Sequence, residues 1–409
     1  MTPTPPREWK VERLLDLVSI GSGQVDPKLP QYRDMPLIAP DHIESGTGRL
    51  LEVRSAREQG AISGKYLVDP GDIIYSKIRP YLVKAHRAAF PALCSADMYP
   101  LKPRKGVDGR FVLNVLLGQE FTNFAVGESM RSGIPKINRE GLAGFELPVP
   151  PSSEQVAIGS ALGDAADLVQ LLERSIIKKR SIKQGMMQEL LTGRTRLAGF
   201  TKEWQPTTLG SVGSTYGGLT GKSGKDFGHG NGRFVTFVEV MRDARLRGVA
   251  LAQVDVKPGE RQNGVRQGDI LFNGSSETPE EVALASVVEF DAHGVMLNSF
   301  CFGYRLARVD LIDPLFLAYF FRATPGRNLV VSLAQGSTRY NIAKTKLMKA
   351  VIDLPELAEQ RAISAALHDD DAEIDALENR LVTVRAIRQG MMQGLLPGRT
   401  RLTVKEDAA

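Results

Sequence analysis

Cysteine is nearly absent from this chain: its 409 residues hold two, Cys94 and Cys301. Two cysteines without CxxC spacing make neither a disulfide framework nor a cysteine-built zinc site. Long apolar runs are absent as well. No stretch reaches the roughly 18 uncharged residues that a membrane-spanning helix needs. The opening Met1-Thr2-Pro3-Thr4-Pro5-Pro6 has no basic stretch leading into an apolar one, so no secretory signal is expected. These absences point to a cytoplasmic protein without a membrane partner. Histidine is scarce, and His42, His86, His229, His293 and His368 are scattered without zinc-site spacing. No Asn-Pro-Pro-Tyr-type methyltransferase motif occurs. Gly217 to Ser223 resembles a phosphate loop, but GxxxxGK[ST] needs four residues between its glycines and Gly217 leaves three before Gly221. Glu277, Glu280-Glu281 and Asp369-Asp370-Asp371 read as solvated faces or helix caps; the aspartate run is expected where a helix begins. The chain is therefore expected to be non-catalytic, with no metal site.

What remains is the composition of a globular protein, 42% apolar and 24% charged. The length suits two or three domains. A net charge of +5 permits nucleic-acid binding without requiring it. Acids nearly match bases in number, so any DNA-binding charge has to be concentrated on one face.

The dominant signal is an internal repeat. Residues 184–197 read QGMMQELLTGRTRL, and residues 389–402, 205 positions later, read QGMMQGLLPGRTRL. The same offset aligns Glu154-Gln155 with Glu359-Gln360, Leu162 with Leu367 and Leu172-Glu173 with Leu377-Glu378, with no gap. Upstream the similarity is weaker. Trp9 and Trp204 each open a half, and Gly71-Asp72-Ile73-Ile74 answers Gly268-Asp269-Ile270-Leu271. A long unit present twice is a pseudo-dimer in one chain, not a solenoid.

The repeated segments have helical spacing. Ile158, Leu162, Ala165, Val169, Leu172 and Ile176 recur at steps of three and four, as do Ile363, Leu367, Asp370, Ile374, Leu377, Leu381 and Val384. Charges fill the flanks, which argues for a coiled coil. Pro150-Pro151-Ser152-Ser153-Glu154 supplies a start, and Gly193 and Gly398 supply stops. Asp370 and the Gly163-Asp164 pair predict a short lead-in helix followed by a longer one. The rest of each half is different. Short β-type runs at 233–238, 285–290 and 300–304 are separated by turn residues, and helices are expected at 109–120 and 313–322. Regular strand–helix alternation is missing, so the fold class is α+β with irregular α/β units, and no doubly wound sheet is expected.

Taken in order, Pro150-Pro151…Glu154-Gln155, Leu354-Pro355…Glu359-Gln360, the two QGMMQ…GRTRL segments, Gly217 to Gly228 and Gly336-Ser337-Thr338-Arg339-Tyr340-Asn341-Ile342 make the chain resemble the specificity subunit of a type I restriction–modification system. The resemblance implies a target-recognition domain over 1–150, a central repeated helical segment over 151–200, a second target-recognition domain over 201–352, a C-terminal repeated helical segment over 353–402 and a flexible tail at 403–409. It implies two long helices packed antiparallel, with a pseudo-twofold internal repeat, and two domains that each read one half of a split site in double-stranded DNA. Two methyltransferase subunits would dock on the chain, and restriction subunits would join them. S-adenosylmethionine, ATP and Mg would be held by those partners and not by this chain. The first half has Ser132-Gly133-Ile134-Pro135-Lys136-Ile137-Asn138 where the second has Ser337 to Ile342, so the halves are not expected to contact DNA identically.

Candidate DNA contacts are clusters that mix cations, amides and aromatics, since lysines hold phosphates while Arg and Asn read base edges. In the first half these are Lys77, Arg79, Tyr81, Lys84 and Arg87, then Arg131, Lys136 and Asn138. In the second they are Lys222, Ser223 and Lys225, then Asn273 and Ser275, then Arg339, Tyr340, Asn341 and Lys344. A competing reading is a coiled-coil adaptor joining two protein-binding domains, which predicts no salt-dependent DNA affinity.

Overall fold

The computed structural model describes residues 6–129, 134–247, 250–336 and 338–402. The sequence-predicted tail at 403–409 lies outside the described residues. The chain divides into two compact units. Unit 1 comprises Met1–Arg174 and Glu378–Ala409, and unit 2 comprises Ser175–Leu377.

In unit 1, one four-stranded sheet runs in the order Val18–Ile20, Met98–Pro103, Ile73–Ser76, Ala85–Arg87. A second runs Gln24–Val25, Lys65–Val68, Ala92–Cys94, Leu37–Ile38. The helix Gly109–Leu116 starts where the Asp108 carboxylate accepts from the Arg110 and Phe111 amides, and Gln119–Ser129 follows it. These helices and the first sheet share a core of Ile73, Tyr75, Leu101, Phe111 and Phe121, joined by Ile158, Leu162 and Leu395 of the repeated segments. Lys10–Arg13 pairs antiparallel with Glu146–Val149. Unit 1 thus closes the strand that leads in beside the strand that leads out to the first repeated segment.

Unit 2 follows the same plan with a larger sheet. Its five strands are Gly213–Gly217, Cys301–Leu306, Ile270–Asn273, Ala285–Val288 and Arg245–Leu246. Ala252–Val254, Phe227–Val235 and Val295–Leu297 form a three-stranded sheet with one antiparallel and one parallel pairing. Pro314–Arg322 begins at an Asp313 cap, as the sequence predicts. The core gathers Phe272, Phe302, Phe316, Tyr319 and Phe321 around Leu191, Ile363 and Leu367. Gln205–Thr208 pairs antiparallel with Val351–Leu354, as the lead-in and lead-out strands do in unit 1. The architecture is mixed α/β.

Each repeated segment is one unbroken helix of 39 residues, Ser152–Leu190 and Leu357–Leu395. This corrects the expected short lead-in helix. It also moves Asp369-Asp370-Asp371 from a helix start to a helix interior. Asp371, one residue past the seam position Asp370, is accommodated because the Tyr319 hydroxyl donates to its carboxylate at 2.5 Å and Lys183 pairs with it. Both helices start in the same way. The Gln155 side chain accepts the Asp108 amide at 3.1 Å and donates to Pro150 O at 3.0 Å. Gln360 accepts the Asp313 amide at 2.9 Å and donates to Pro355 O at 2.9 Å. Both segments end on a glycine in the left-handed region, Gly193 at φ 68° and Gly398 at φ 76°. A Cβ at either would press within 3.2 Å of an indole, Trp204 and Trp9 respectively.

Candidate nucleic-acid interface

In unit 1 the Gly71-Asp72 turn, with Gly71 at φ 97°, feeds the buried strand Ile73–Ser76. The chain emerges from that strand at Lys77. There Lys77 O accepts the Ile137 amide at 3.0 Å, and the Arg79 amide donates to Pro135 O at 2.8 Å. Ile78 and Lys136 form an antiparallel bridge. Two clusters that lie far apart in sequence are therefore backbone-bonded neighbours. Arg79 and Val83, both at φ 49°, flank the short turn Pro80–Leu82. Positive φ at two non-glycine residues is strained, and the loop holds Arg79 and Tyr81 exposed.

The electrostatics agree with a concentrated patch. Burial pulls the Lys77 ammonium below the ordinary lysine range, and repulsion from Lys136 and Arg139 pushes it the same way. Its ammonium lies 5.2 Å from the Tyr99 ring centroid. Arg139 was not singled out in the sequence, although it directly follows Asn138. Other expected contacts serve the fold instead. Lys84 gives its ammonium to Pro40 O at 2.6 Å. Asn138 caps the helix Arg139–Ala143 by accepting the Gly141 amide at 2.8 Å. Arg87 is exposed but pairs with Ile73, four residues back along the chain from Lys77, about 13 Å away at the strand rise. Arg131 lies outside the described residues.

Unit 2 repeats the juxtaposition with different side chains. Gly268, at φ 84°, turns into the strand Ile270–Asn273. Beyond it Ser275 pairs with Asn341 and Ser276 with Tyr340, while the Ile342 amide donates to Gly274 O at 3.3 Å. Arg339, Asn341 and Lys344 are exposed around this ladder, and Tyr340 is half-buried. The Arg339 guanidinium sits 5.3 Å from the Phe300 ring centroid. Phe300 is 57% exposed. Sequence reading missed it because it stands next to an apolar run that looks like core.

Four expected contacts in unit 2 need correction or narrowing. Asn273 is fully buried, and its side chain is spent on Leu284 N, Glu281 O and Ser275 O at 2.6, 2.8 and 3.2 Å. Ser275 is also buried. Lys222 is tied to Glu260 and to Asp255 O, both at 2.6 Å, so it has no free charge for a phosphate. Ser223 is exposed, but its hydroxyl donates to Asp226 at 2.8 Å. Lys225 remains exposed. The sequence could not separate these groups, because a polar residue looks the same whether its partner is the fold or a ligand.

Among the described residues no group of three or more His, Cys, Asp or Glu side chains is placed to hold a metal. Both cysteines are buried, and burial pushes each thiol up to about 12. Among the same residues, no helix is long and apolar enough to cross a membrane.

Comparison with known proteins gives one family. Residues 6–179 match the type I restriction modification DNA specificity domain. The type I restriction enzyme EcoDI specificity subunit of Escherichia coli is 32% identical over 203 residues, covering 50% of this chain and 45% of that subunit. In that match the chain spans a little under half of the relative's length. The MjaVIII specificity subunit of Methanocaldococcus jannaschii is 20% identical across 97% of this chain and 94% of its own. Two solved structures share the fold. The HsdS subunit from Thermoanaerobacter tengcongensis has a TM-score of 0.52 at 19% identity, covering 97% of this chain and 99% of that one. The type I restriction–modification S subunit from M. genitalium has a TM-score of 0.60 at 12% identity, covering 95% and 96%.

Proposed function

We propose that the chain is a specificity subunit of a type I restriction–modification system, the DNA-recognition subunit of such a complex; the matching specificity domain and the EcoDI relative support this reading. Each half would read one part of a bipartite site in double-stranded DNA. The observation that carries this reading is the repeated juxtaposition. In unit 1 residues 77–79 are bonded to 135–137, and in unit 2 residues 274–276 are bonded to 340–342. The scaffold is shared but the groups around it differ, half-buried Lys77 with exposed Arg79, Lys136 and Arg139 against exposed Phe300, Arg339, Asn341 and Lys344. Two readers of different half-sites need that combination.

The two long helices are proposed to form an antiparallel coiled coil with pseudo-twofold symmetry. Support comes from each unit taken alone. In unit 1 Glu154 meets Arg401 and Glu173 meets Arg385. In unit 2 Lys179 meets Glu373, Lys183 meets Asp371 and Arg196 meets Glu359. Partner numbers fall as the others rise, which is an antiparallel pairing. Methyltransferase subunits would dock on this scaffold, with restriction subunits joining them. S-adenosylmethionine, ATP and Mg would then belong to those partners, and this chain would do no chemistry. The cytoplasm is the compartment where such a complex meets its DNA.

The test is DNA binding by the chain assembled with its methyltransferase subunits, measured against salt and against half-site substitutions. Affinity should fall steeply as salt rises, because phosphate contacts release counterions. Arg339→Ala should cost about 1–3 kcal/mol, roughly fivefold to 150-fold, at one half-site and leave the other unchanged. A salt-independent affinity would favour the protein-binding adaptor. An unchanged Arg339→Ala preference would remove that residue from the interface.

A further inference from the structure

A cavity of about 950 Å³ opens in unit 1, within the range of small-molecule sites. Leu113, Phe121, Leu147 and Met392 give it apolar walls, and Arg388 and His86 also line it. Both polar residues have a buried nitrogen without a partner, Arg388 Nε and His86 Nε2. His86 Nδ1 lies 2.9 Å from Gly48 O, so it has to donate there. That fixes Nε2 as a lone-pair acceptor. Burial holds the ring below the ordinary histidine range and therefore neutral. The other inner charges are already satisfied. Arg49 pairs with Glu44 at 2.6 Å and with Glu173 at 2.9 Å, and Arg385 reaches Glu173 at 2.6 Å. Glu120, Asp167 and Arg399 are exposed to water at the rim.

Unit 2 shows what such a place looks like when it is filled. The repeat offset of 205 sets Arg388 against Lys183, Ala166 against Asp371, Gly163 against His368 and Asn114 against Tyr319. In unit 2 the Lys183 ammonium pairs with Asp371, which also takes the Tyr319 hydroxyl at 2.5 Å, and His368 lies 3.1 Å from Arg245. In unit 1 a methyl, a hydrogen and a shorter amide stand in place of the aspartate, imidazole and phenol. Those replacements remove volume and the carboxylate together, and they leave a half-buried guanidinium facing the space.

We propose that the unit 1 cavity binds a small organic carboxylate with an apolar body, whose carboxylate takes at Arg388 the place that Asp371 takes at Lys183. A hydrogen-bond donor on the same ligand meets His86 Nε2. A guanidinium with a free edge is suited to a carboxylate, and the apolar walls cover the rest. This site is independent of DNA recognition, and it stands or falls without that reading.

The experiment is calorimetric titration of the full-length chain with indole-3-propionate, which carries a carboxylate, an apolar ring and an N–H donor. Indole-3-propionamide is the uncharged control. The acid should bind about tenfold or more tightly than the amide, the contribution of one charged hydrogen bond. Arg388→Met should erase that preference. Ala166→Asp supplies a tethered carboxylate, so it should block the acid while raising the melting temperature. Circular dichroism confirms the fold of both variants, and if Arg388→Met unfolds, Ala166→Asp decides. No binding at millimolar acid, equal affinity for acid and amide, or undiminished binding to Ala166→Asp overturns the proposal.

Discussion

Lys183→Met should destabilise unit 2 far more than Arg388→Met destabilises unit 1, although the repeat places the two cations at equivalent positions. Lys183 and Asp371 have side chains only 17% and 11% exposed, and Tyr319 donates to the same carboxylate. The ammonium also lies 5.3 Å from the Tyr319 ring centroid. Removing Lys183 strands a buried carboxylate, which costs about 3–5 kcal/mol where nothing else compensates. Here the Tyr319 hydroxyl remains, so the lower end, about 3 kcal/mol, applies. Arg388 has no ion pair among the described residues, and burial lowers its basicity without a compensating anion. Methionine keeps its stem packing and removes an uncompensated cation, so the cost there is under about 1 kcal/mol. Hydrogen exchange of the helix across 363–377 reads the difference locally, which matters because two units need not unfold together. Protection should fall roughly 150-fold in Lys183→Met. Adding Asp371→Ala should restore at least about half of the lost free energy, since no charge is then stranded. A loss below about 1 kcal/mol in Lys183→Met, or a double variant worse than the single, would refute the argument.

Trp9→Phe should cost about 1.5 kcal/mol more than Trp204→Phe. The Trp9 indole donates to the buried Glu154 at 3.1 Å, whereas the Trp204 nitrogen is buried with no partner; paired melting curves check this. Stability should rise with pH as His86 sheds its proton. Its folded pKa is depressed by burial, so the unfolded chain binds more protons between that value and about 6.5, and stability is lost as pH falls through the window. His86→Gln should flatten that slope in melting temperatures taken from pH 5 to 7.5, and an unchanged slope would clear His86 of the effect. Matched four-residue insertions after Ile176 and Leu381 add about 6 Å to each helix and nearly preserve the seam, because four residues are close to one turn. Mapped methylation sites should keep their half-sites and gain about one or two base pairs of spacer. A one-residue insertion should instead rotate the seam by about 100° and disrupt packing.

Helical spacing and the repeat were legible because each is a periodic property of the chain itself. Ile158, Leu162, Leu172 and Ile176 all fall on the buried side, as their spacing requires. The interruption at Asp370 was misread because sequence periodicity prices a carboxylate in a seam as a break. It cannot show that Lys183 and Tyr319 arrive to satisfy the next one, Asp371. The candidate interface was half legible for the same reason. Arg79 and Arg339 are exposed, as expected of DNA-facing groups, but Asn273 and Lys222 carry the same chemistry and are consumed by Leu284, Glu281, Glu260 and Asp255. Only the partner distinguishes them, and the partner is a tertiary fact.

The repeat also looks different once its bonds are known. Sequence reading takes Glu154-Gln155 through Arg196 as one copy and Glu359-Gln360 through Arg401 as the next. The bonds exchange the ends. Arg401 closes on Glu154 in unit 1 at 2.6 and 2.9 Å, and Arg196 closes on Glu359 in unit 2 at 2.5 Å by both nitrogens. The end of each copy therefore completes the unit that holds the other copy's beginning. That constraint accounts for which residues the two copies share. Glu, Gln, the closing Arg and the C-terminal Gly each have a bond or a backbone angle that needs that residue type, and they are identical. Ala166 and Asp371, Gly163 and His368, Asn114 and Tyr319 have no such common duty, and there the copies have diverged. Tethering the ends should then tolerate change poorly in either copy. Glu359→Gln ought to loosen 196–204 around Trp204, and Glu154→Gln ought to loosen 398–402 and the N-terminal strand Lys10–Arg13, each readable by exchange in its own unit. Loosening of both segments by either change, or of neither, would contradict the exchanged closure.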